Sequence, residues 1–315
     1  MKTIKKISLI GLGAMGVFFA PRLMEAYGEN FRVIADGERK RRLETQGVTV
    51  NGVNYKFPIV TPQEQGSEAD LILIGVKGYG LAKAIEDIRN QVGKDTLILS
   101  LLNGVDSEDK LIEAFGEEHV LYAFMRMSIV MKDGKADFDP YWGKIHFGEK
   151  QNKEYSERVL AVKEVFDKAD IPYEIDEDML QGIWFKFMCN IGENMTCALL
   201  GIPFGGFQTS EHANWIRINS MREVAAIAQK KGISIGEKEI EMQNKTVMTI
   251  PYPNKPSTLQ DLEAKKHTEV GMFAGTVVKM GEEFGIPTPI CEMFYHGICA
   301  LEEKNDNIID CTRQK

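Results

Sequence analysis

The chain has 315 residues, 43% hydrophobic and 27% charged, with 38 Lys and Arg against 46 Asp and Glu and a net charge of −8. At about 150 residues per domain this length points to two domains, and the ordinary composition excludes a disordered, collagen-like or coiled-coil chain. The acidic balance argues against a nucleic-acid partner or an anionic membrane surface, since both are held largely by Lys and Arg.

Residues 6–10 read as a strand, followed by a glycine turn and a helix to about Tyr27. Residues 31–35 form a second strand. Residues 71–76 and 96–100 are nearly unbroken apolar runs of strand length. Such runs suit strands covered on both faces, hence a parallel sheet. With helical segments near 78–90 and 106–115, the pattern is α/β, doubly wound and Rossmann-like. Between about Tyr122 and Phe147 the turns at Asp133-Gly134 and Trp142-Gly143 predict an antiparallel extension of the sheet. A helix near 153–168 and a strand at 173–175 close this half. From Asp178 the strand signal fades. Long helical stretches follow, broken at Gly201-Ile202-Pro203, at 251–256 and at 285–289, which predicts an all-α C-terminal domain. The boundary falls at Glu177/Asp178, giving domains 1–177 and 178–315.

The cysteines (Cys189, Cys197, Cys291, Cys299, Cys311) form no CxxC pair, and the five histidines show no HxxxH or HExxH spacing. The sequence therefore predicts neither a disulfide scaffold nor a metal site, and it fits a reducing cytoplasm. No stretch approaches the roughly 20 apolar residues that span a bilayer, and the first apolar run is too short for a signal peptide.

Gly11-Leu12-Gly13-Ala14-Met15-Gly16 fits GxGxxG between a predicted strand and a predicted helix, the context that makes the motif informative. Gly11 permits the tight turn, Gly13 the approach of a pyrophosphate, and Gly16 close packing of helix on sheet. The second strand ends at Asp36, where a carboxylate accepts hydrogen bonds from an adenosine ribose and leans the choice towards NADH. Arg39, Lys40, Arg41 and Arg42 follow at once. They read as a solvated helix turn, or as partners for the 2′-phosphate of NADPH.

The helical half opens with an apolar segment, 184–194, that carries Lys186, Asn190 and Asn194. Positions four apart share an α-helical face, so these three are expected to form one polar stripe. Ser257 and Gln260 resemble a capping box at the start of a helix expected to run to Gly271. That helix would carry Glu269, which by spacing alone reads as a surface carboxylate.

Taken together, GxGAMG at 11–16, Lys77 after the third strand, Asn103-Gly104 after the fourth, the segments around Lys186 and Glu269, and Gly285-Ile286-Pro287-Thr288-Pro289 resemble the ketopantoate reductase (2-dehydropantoate 2-reductase) family. The resemblance runs from about residue 5 to about 300. It implies reduction of ketopantoate to pantoate with NAD(P)H, on the way to coenzyme A, with the helical domain binding substrate. It implies Lys186 as the catalytic lysine, Asn190 and Asn194 as substrate-binding asparagines, Ser257 at the substrate carboxylate and Glu269 at its hydroxyl. Asn103 would stand on the nicotinamide side and Lys77 beside the cofactor. A homodimer is compatible with the family. Two positions depart. Asp36 stands where members often carry an Arg for NADP, and Phe204 stands where some carry a third asparagine. Two alternatives remain: reduction of another 2-oxo acid or an imine on the same scaffold, and a non-catalytic dinucleotide-binding sensor.

Overall fold

The structure is a computed structural model that describes residues 3–127 and 129–309; Cys311 lies outside them. The chain divides into two compact units, Met1–Leu180 and Gln181–Lys315.

In the first unit the strands are β1 (Ile7–Ile10), β2 (Phe31–Ile34), β3 (Val48–Val50), β4 (Val53–Tyr55), β5 (Ile59–Val60), β6 (Ala69–Ile74), β7 (Val92–Ser100), β8 (Val120–Arg126), β9 (Met131–Lys132), β10 (Lys135–Ala136), β11 (Lys144–Gly148) and β12 (Tyr173–Glu174). Its helices are α1 (Gly16–Tyr27), α2 (Gly37–Gln46), α3 (Leu81–Ile88), α4 (Ser107–Phe115) and α5 (Glu157–Lys168). An eight-stranded sheet runs β12-β11-β8-β7-β6-β1-β2-β5. The pairs from β5 to β8 are parallel, and β11 joins β8 antiparallel, an extension as expected from the sequence; the Asp133-Gly134 turn expected within that extension instead joins β9 to β10, which lie outside this sheet.

The apolar runs are unbroken because both faces of the sheet are covered. Leu71, Leu73, Leu97 and Leu99 point into one buried cluster, while Ile72, Ile74 and Ile98 point into the other. That alternation is the period-two pleat. Chain order reverses about β1, whose neighbours are β2 and β6. A crevice outside the carboxyl ends of the strands at such a reversal is where open α/β sheets bind ligands.

A second, four-stranded sheet, β4-β3-β10-β9, was not expected from the sequence. Its signals were present. Asn51-Gly52 and Asp133-Gly134 both carry positive φ at both residues, as two-residue hairpin turns require. The strands are only two or three residues long, too short for an apolar alternation to stand out.

In the second unit every regular element among the described residues is helical, as expected. Helix α6 (Met179–Cys189) leads in, followed by α7 (Thr196–Leu200), α8 (Gly206–Thr209), α9 (Glu211–Lys230), α10 (Glu237–Val247), α11 (Ser257–Glu263), α12 (Thr276–Phe284) and α13 (Pro289–Asn305). Two π-helical turns, Asn190–Met195 and Gly271–Gly275, interrupt the α-helical pattern. No helix is long and apolar enough to cross a membrane among the described residues.

Candidate active site

Ile34, Ile10, Ile74 and Ser100 pair across β2, β1, β6 and β7 as one row of the sheet. Each strand ends there or at the next residue, so Asp36, Gly11–Gly16, Lys77 and Asn103 all leave from one edge. At about 4.8 Å per strand the row spans roughly 14 Å, the scale of an extended dinucleotide. Gly11 has φ +94°, and a Cβ on it would lie 2.4 Å from the carbonyl carbon of Gly75 and 2.5 Å from the amide nitrogen of Val76. A Cβ on Gly16 would lie 2.3 Å from the carbonyl oxygen of Gly11. Those two glycines are demanded by close backbone approach within the protein. Gly13 is different: a Cβ there would meet nothing within 4 Å. Leu12, Ala14 and Met15 are half-buried around it, and α1 begins at Gly16, its amino end beside the turn. Open space at the middle glycine, beside a helix amino end, is what a pyrophosphate needs; the cradle fits a dinucleotide.

Asp36 is half-buried at the N-cap position of α2, and its carboxylate makes no capping bond to that helix. Its charge acts instead on Lys83 of α3. The Lys83 ammonium is held above its ordinary value chiefly by its bond to Asp87, with a smaller part from Asp36. In the basic run Arg39, Arg41 and Arg42 are exposed, and Lys40 pairs with Glu44 at 2.6 Å. Lys77 is exposed where β6 gives way to a short 3₁₀ turn, and its carbonyl accepts the Gly80 amide.

Asn103 is half-buried, one residue before Gly104 at φ +101°. Its loop rests on a buried relay that the sequence reading missed. The Leu102 amide donates to Ser100 Oγ, Ser100 Oγ donates to Ser107 Oγ, and Ser107 Oγ donates to Glu108 Oε2, the hydroxyl links being 2.8 Å each. Burial pushes the Glu108 carboxyl up to about 7, although Ser107 and the amides of Glu108 and Ala123 donate to it. The only signal was the acidic residue in the first turn of a helix.

In the helical unit, Lys186, Cys189, Asn190 and Asn194 are half-buried, while Phe185, Phe187, Met188, Ile191, Gly192, Glu193 and Met195 are buried. Half-burial sets Lys186, Asn190 and Asn194, with Cys189, apart from their buried neighbours, but the α-helical spacing expected to align them needs correction. Only Lys186 lies on the α-helical part; Asn190 and Asn194 lie on the π turn. Phe187 stacks on Phe273 with centroids 6.3 Å apart, which joins α6 to the second π turn. Helix α11 packs against the first π turn.

Two expectations fail here. Ser257 does not cap α11: the N-cap residue is Pro256, and Gln260 Nε2 donates to the Lys255 carbonyl at 2.7 Å. Nor does that helix reach Glu269. It ends at Glu263, Lys265 takes a positive φ, and Glu269 opens the next helical segment, where its carbonyl accepts the amides of Met272 and Phe273. The entry is tied down by Thr268, whose amide and hydroxyl both donate to Glu302 of α13, at 2.7 and 2.6 Å. Ser257 is exposed at the first residue of α11 and Glu269 is half-buried. Phe204 packs against the apolar cluster of Cys197, Phe207, Ala213, Val247 and Leu259.

Among the described residues, His146, Glu174 and Asp176 come close enough to share a cation. His146 Nδ1 is 2.7 Å from Asp176 and Glu174 is paired with Lys144 at 2.7 Å, while His146 Nε2 is buried without a hydrogen-bond partner.

The two halves of this arrangement match two profiles in tandem. Residues 7–152 match "Ketopantoate reductase PanE/ApbA", and residues 178–302 match "Ketopantoate reductase PanE/ApbA C terminal". The chain belongs to the ketopantoate reductase family. A 2-dehydropantoate 2-reductase of Streptococcus pyogenes serotype M6 is 27% identical over 301 residues, covering 94% of this chain and 97% of that protein. The fold is shared with D-mandelate dehydrogenase solved with NADH and anilino(oxo)acetate, at TM-score 0.82 and 24% identity, over 96% of this chain and 99% of that one. It is shared too with the dimeric ketopantoate reductase of Staphylococcus aureus, at TM-score 0.79 and 18% identity, over 95% and 99%. Membership makes the chain an oxidoreductase of a family that uses NAD(P)H.

Proposed function

We propose that this protein is a cytoplasmic reductase that converts 2-dehydropantoate to pantoate in the supply of coenzyme A, with residues 1–177 holding NAD(P)H and residues 178–315 the keto acid. The observation that carries this reading is the half-buried Lys186, Asn190 and Asn194 on a helical segment, 184–194, that is otherwise buried save for the half-buried Cys189. Gly11–Gly16, Asp36, Lys77 and Asn103 would hold the cofactor, which when bound supplies the hydride.

In this reading the Lys186 ammonium polarises the keto oxygen of the substrate. It then gives that oxygen a proton as negative charge develops there. Asn190 and Asn194 hold the keto acid by their amides without adding charge. The Ser257 hydroxyl donates to the substrate carboxylate. The Glu269 carboxylate accepts a hydrogen bond from the substrate hydroxyl and so discriminates against acids that lack it. Asp36 leans the cofactor choice towards NADH. The dimeric relative supports a homodimer.

A second reading keeps the chemistry and changes the acid, favoured by the likeness to D-mandelate dehydrogenase. Turnover of NADH and NADPH with ketopantoate, benzoylformate and a panel of aliphatic 2-oxo acids tests both. The expected result is the highest kcat/KM with ketopantoate. A higher value with an acid lacking the 4-hydroxyl refutes the substrate, and no oxidation of either cofactor refutes the reductase.

A further inference from the structure

In the helical unit an ionisable pair, a carboxyl and a guanidinium, is shut away from solvent, and the reaction as described does not use it. Glu193 and Arg217 are 6% and 0% exposed, with Glu193 Oε1 3.6 Å from Arg217 Nη1. Gln243 Nε2 of α10 donates to the same carboxylate oxygen at 2.7 Å. The guanidinium donates further to Asn214 at 2.9 Å and to Asn244, and lies 5.3 Å from the centre of the Phe207 ring. Enclosing two charges is costly unless geometry repays it, and apolar replacement of such pairs is often neutral for stability. Stability alone is therefore a weak reason for this cluster.

Its position supplies a better one. Glu193 lies in the π turn Asn190–Met195, immediately before Asn194. The residue before it, Gly192, seats this turn on α9: a Cβ there would lie 2.7 Å from Met221 Cγ and 3.1 Å from the Arg217 carbonyl oxygen. One residue further on, Glu193 meets the Arg217 side chain. The turn is thus held to α9 and α10 by one close backbone approach and one polar cluster.

The consequence for the polar stripe is angular. Along an α-helix each residue advances by about 100°, so four steps from Lys186 put Asn190 about 40° round, and four more would put Asn194 about 80° round. Bonding from i to i+5 slows the advance to about 80° per residue, so the π turn returns Asn194 to about the bearing of Lys186. Lys186 and Asn194 share a face because the turn is π and not α.

We propose that Glu193, Arg217 and Gln243 are positioning residues: their buried cluster holds the π turn, and the π turn sets Asn190 and Asn194 on the Lys186 face. This rests on the reading in which that face meets the keto acid. The cluster itself does not touch substrate.

The test pairs Glu193→Gln/Arg217→Met, which removes both ionisable groups together, with Gln243→Met, which removes only the amide on Glu193. Four quantities are measured for each: Tm, cofactor Kd by NADH fluorescence, kcat and KM with the best 2-oxo acid, and a crystal structure. The expected result for each is a Tm within about 5 °C of the parent, a cofactor Kd within twofold, and a KM for the keto acid raised at least threefold. In the double variant the i to i+5 bonding over 190–195 is expected to give way to i to i+4. A π turn retained in the double variant, or a KM raised less than threefold in a folded variant, overturns the proposal. If the double variant does not fold, Gln243→Met decides by the same KM threshold. If the parent turns over no 2-oxo acid, the reductase reading fails by itself, and the crystal structure of the double variant still decides this one.

Discussion

Replacing Gly11 and Gly13 separately by alanine divides the glycine turn into a part the fold needs and a part the cofactor needs. At Gly11 the backbone has φ +94° and the new Cβ would lie 2.4–2.7 Å from the Gly75 carbonyl and the Val76 amide, all of them backbone atoms. No rotamer change relieves that. Left-handed backbone costs an alanine about 1–2 kcal/mol and overpacking about 1–3 kcal/mol, so Gly11→Ala should lose about 2–5 kcal/mol. At about 2–4 °C per kcal/mol for a domain of this size, Tm should fall by about 4–20 °C. Gly13→Ala meets nothing within 4 Å and has no positive φ, so its Tm without cofactor should hold or rise slightly. The methyl group would nevertheless stand where the pyrophosphate approaches, and the Kd for NADH should rise at least tenfold, about 1.4 kcal/mol. Saturating the parent at 100 times its Kd adds about 2.7 kcal/mol of stability; at the same NADH concentration Gly13→Ala should gain about half of that. Thermal unfolding with and without NADH reads both effects. A Gly13→Ala protein that binds NADH as the parent does would refute the assignment of the open space to the phosphates.

Lys186→Ala should lower kcat by roughly 10²–10⁴-fold, the range for a lost general acid, while NADH affinity by fluorescence stays within twofold; near-normal kcat would sink the role. Glu269→Ala should harm ketopantoate reduction more than reduction of a 2-oxo acid without the 4-hydroxyl, and equal losses would make Glu269 structural. Asp36→Arg should reverse a preference for NADH over NADPH read as kcat/KM; a parent that already prefers NADPH would show that the basic run at 39–42 dominates. Stability should respond to pH through Glu108 and Glu193, both raised by burial from 4.5 to about 7. An acid with a raised folded pKa holds its proton longer folded than unfolded, so stability falls as pH rises from about 4.5 to about 7. The slope integrates to about 3 kcal/mol per group at most. Glu108→Gln should flatten the unfolding free energy between pH 4.5 and 7, and an unchanged slope would count against a buried, neutralisable carboxyl there.

The parallel sheet was legible because its strands carry unbroken apolar runs and its first turn needs glycine for steric reasons that hold in any such fold. Gly11 and Gly16 could be placed from the motif because the atoms they must avoid, those of Gly75 and of Gly11 itself, come with the topology. The second sheet was not legible, since strands of two or three residues carry no period; only Asn51-Gly52 and Asp133-Gly134 announced it. The i, i+4 rule singled out Lys186, Asn190 and Asn194 but assumed a geometry that the π turn replaces. Local sequence gives no sign of that turn, because its seat lies on α9 and α10, more than twenty residues away. Glu269 was misplaced for a similar reason. The break after Glu263 is made by a positive φ at Lys265, a residue type that does not advertise one, and the restart is fixed by Glu302 from the far end of the unit.

The contrast between the halves bears on substrate. The cofactor candidates leave from four strand ends held in one register, so they cannot shift singly. The substrate candidates sit on a π turn, on the first residue of a seven-residue helix and at a break between helices, each set by a few side-chain contacts. Such segments can be altered without disturbing the helices that carry them, and one fold can serve several acids. Phe204, the departure that pointed towards a different acid, has a structural use of its own: its ring packs into the apolar cluster, and its amide donates to the Asn254 carbonyl at 2.9 Å, tying the 201–205 loop to the segment that leads to Ser257. With Phe204 accounted for by packing, the proposed reading leaves discrimination among 2-oxo acids to Ser257, Glu269 and the asparagine pair. Of these, only Glu269 carries a charge, and in that reading the hydrogen bond it accepts from the substrate hydroxyl is the one an acid without a hydroxyl cannot offer, which makes it the stronger discriminator. The ratio of kcat/KM for ketopantoate to that for its analogue without the 4-hydroxyl is therefore the number in which the substrate is written.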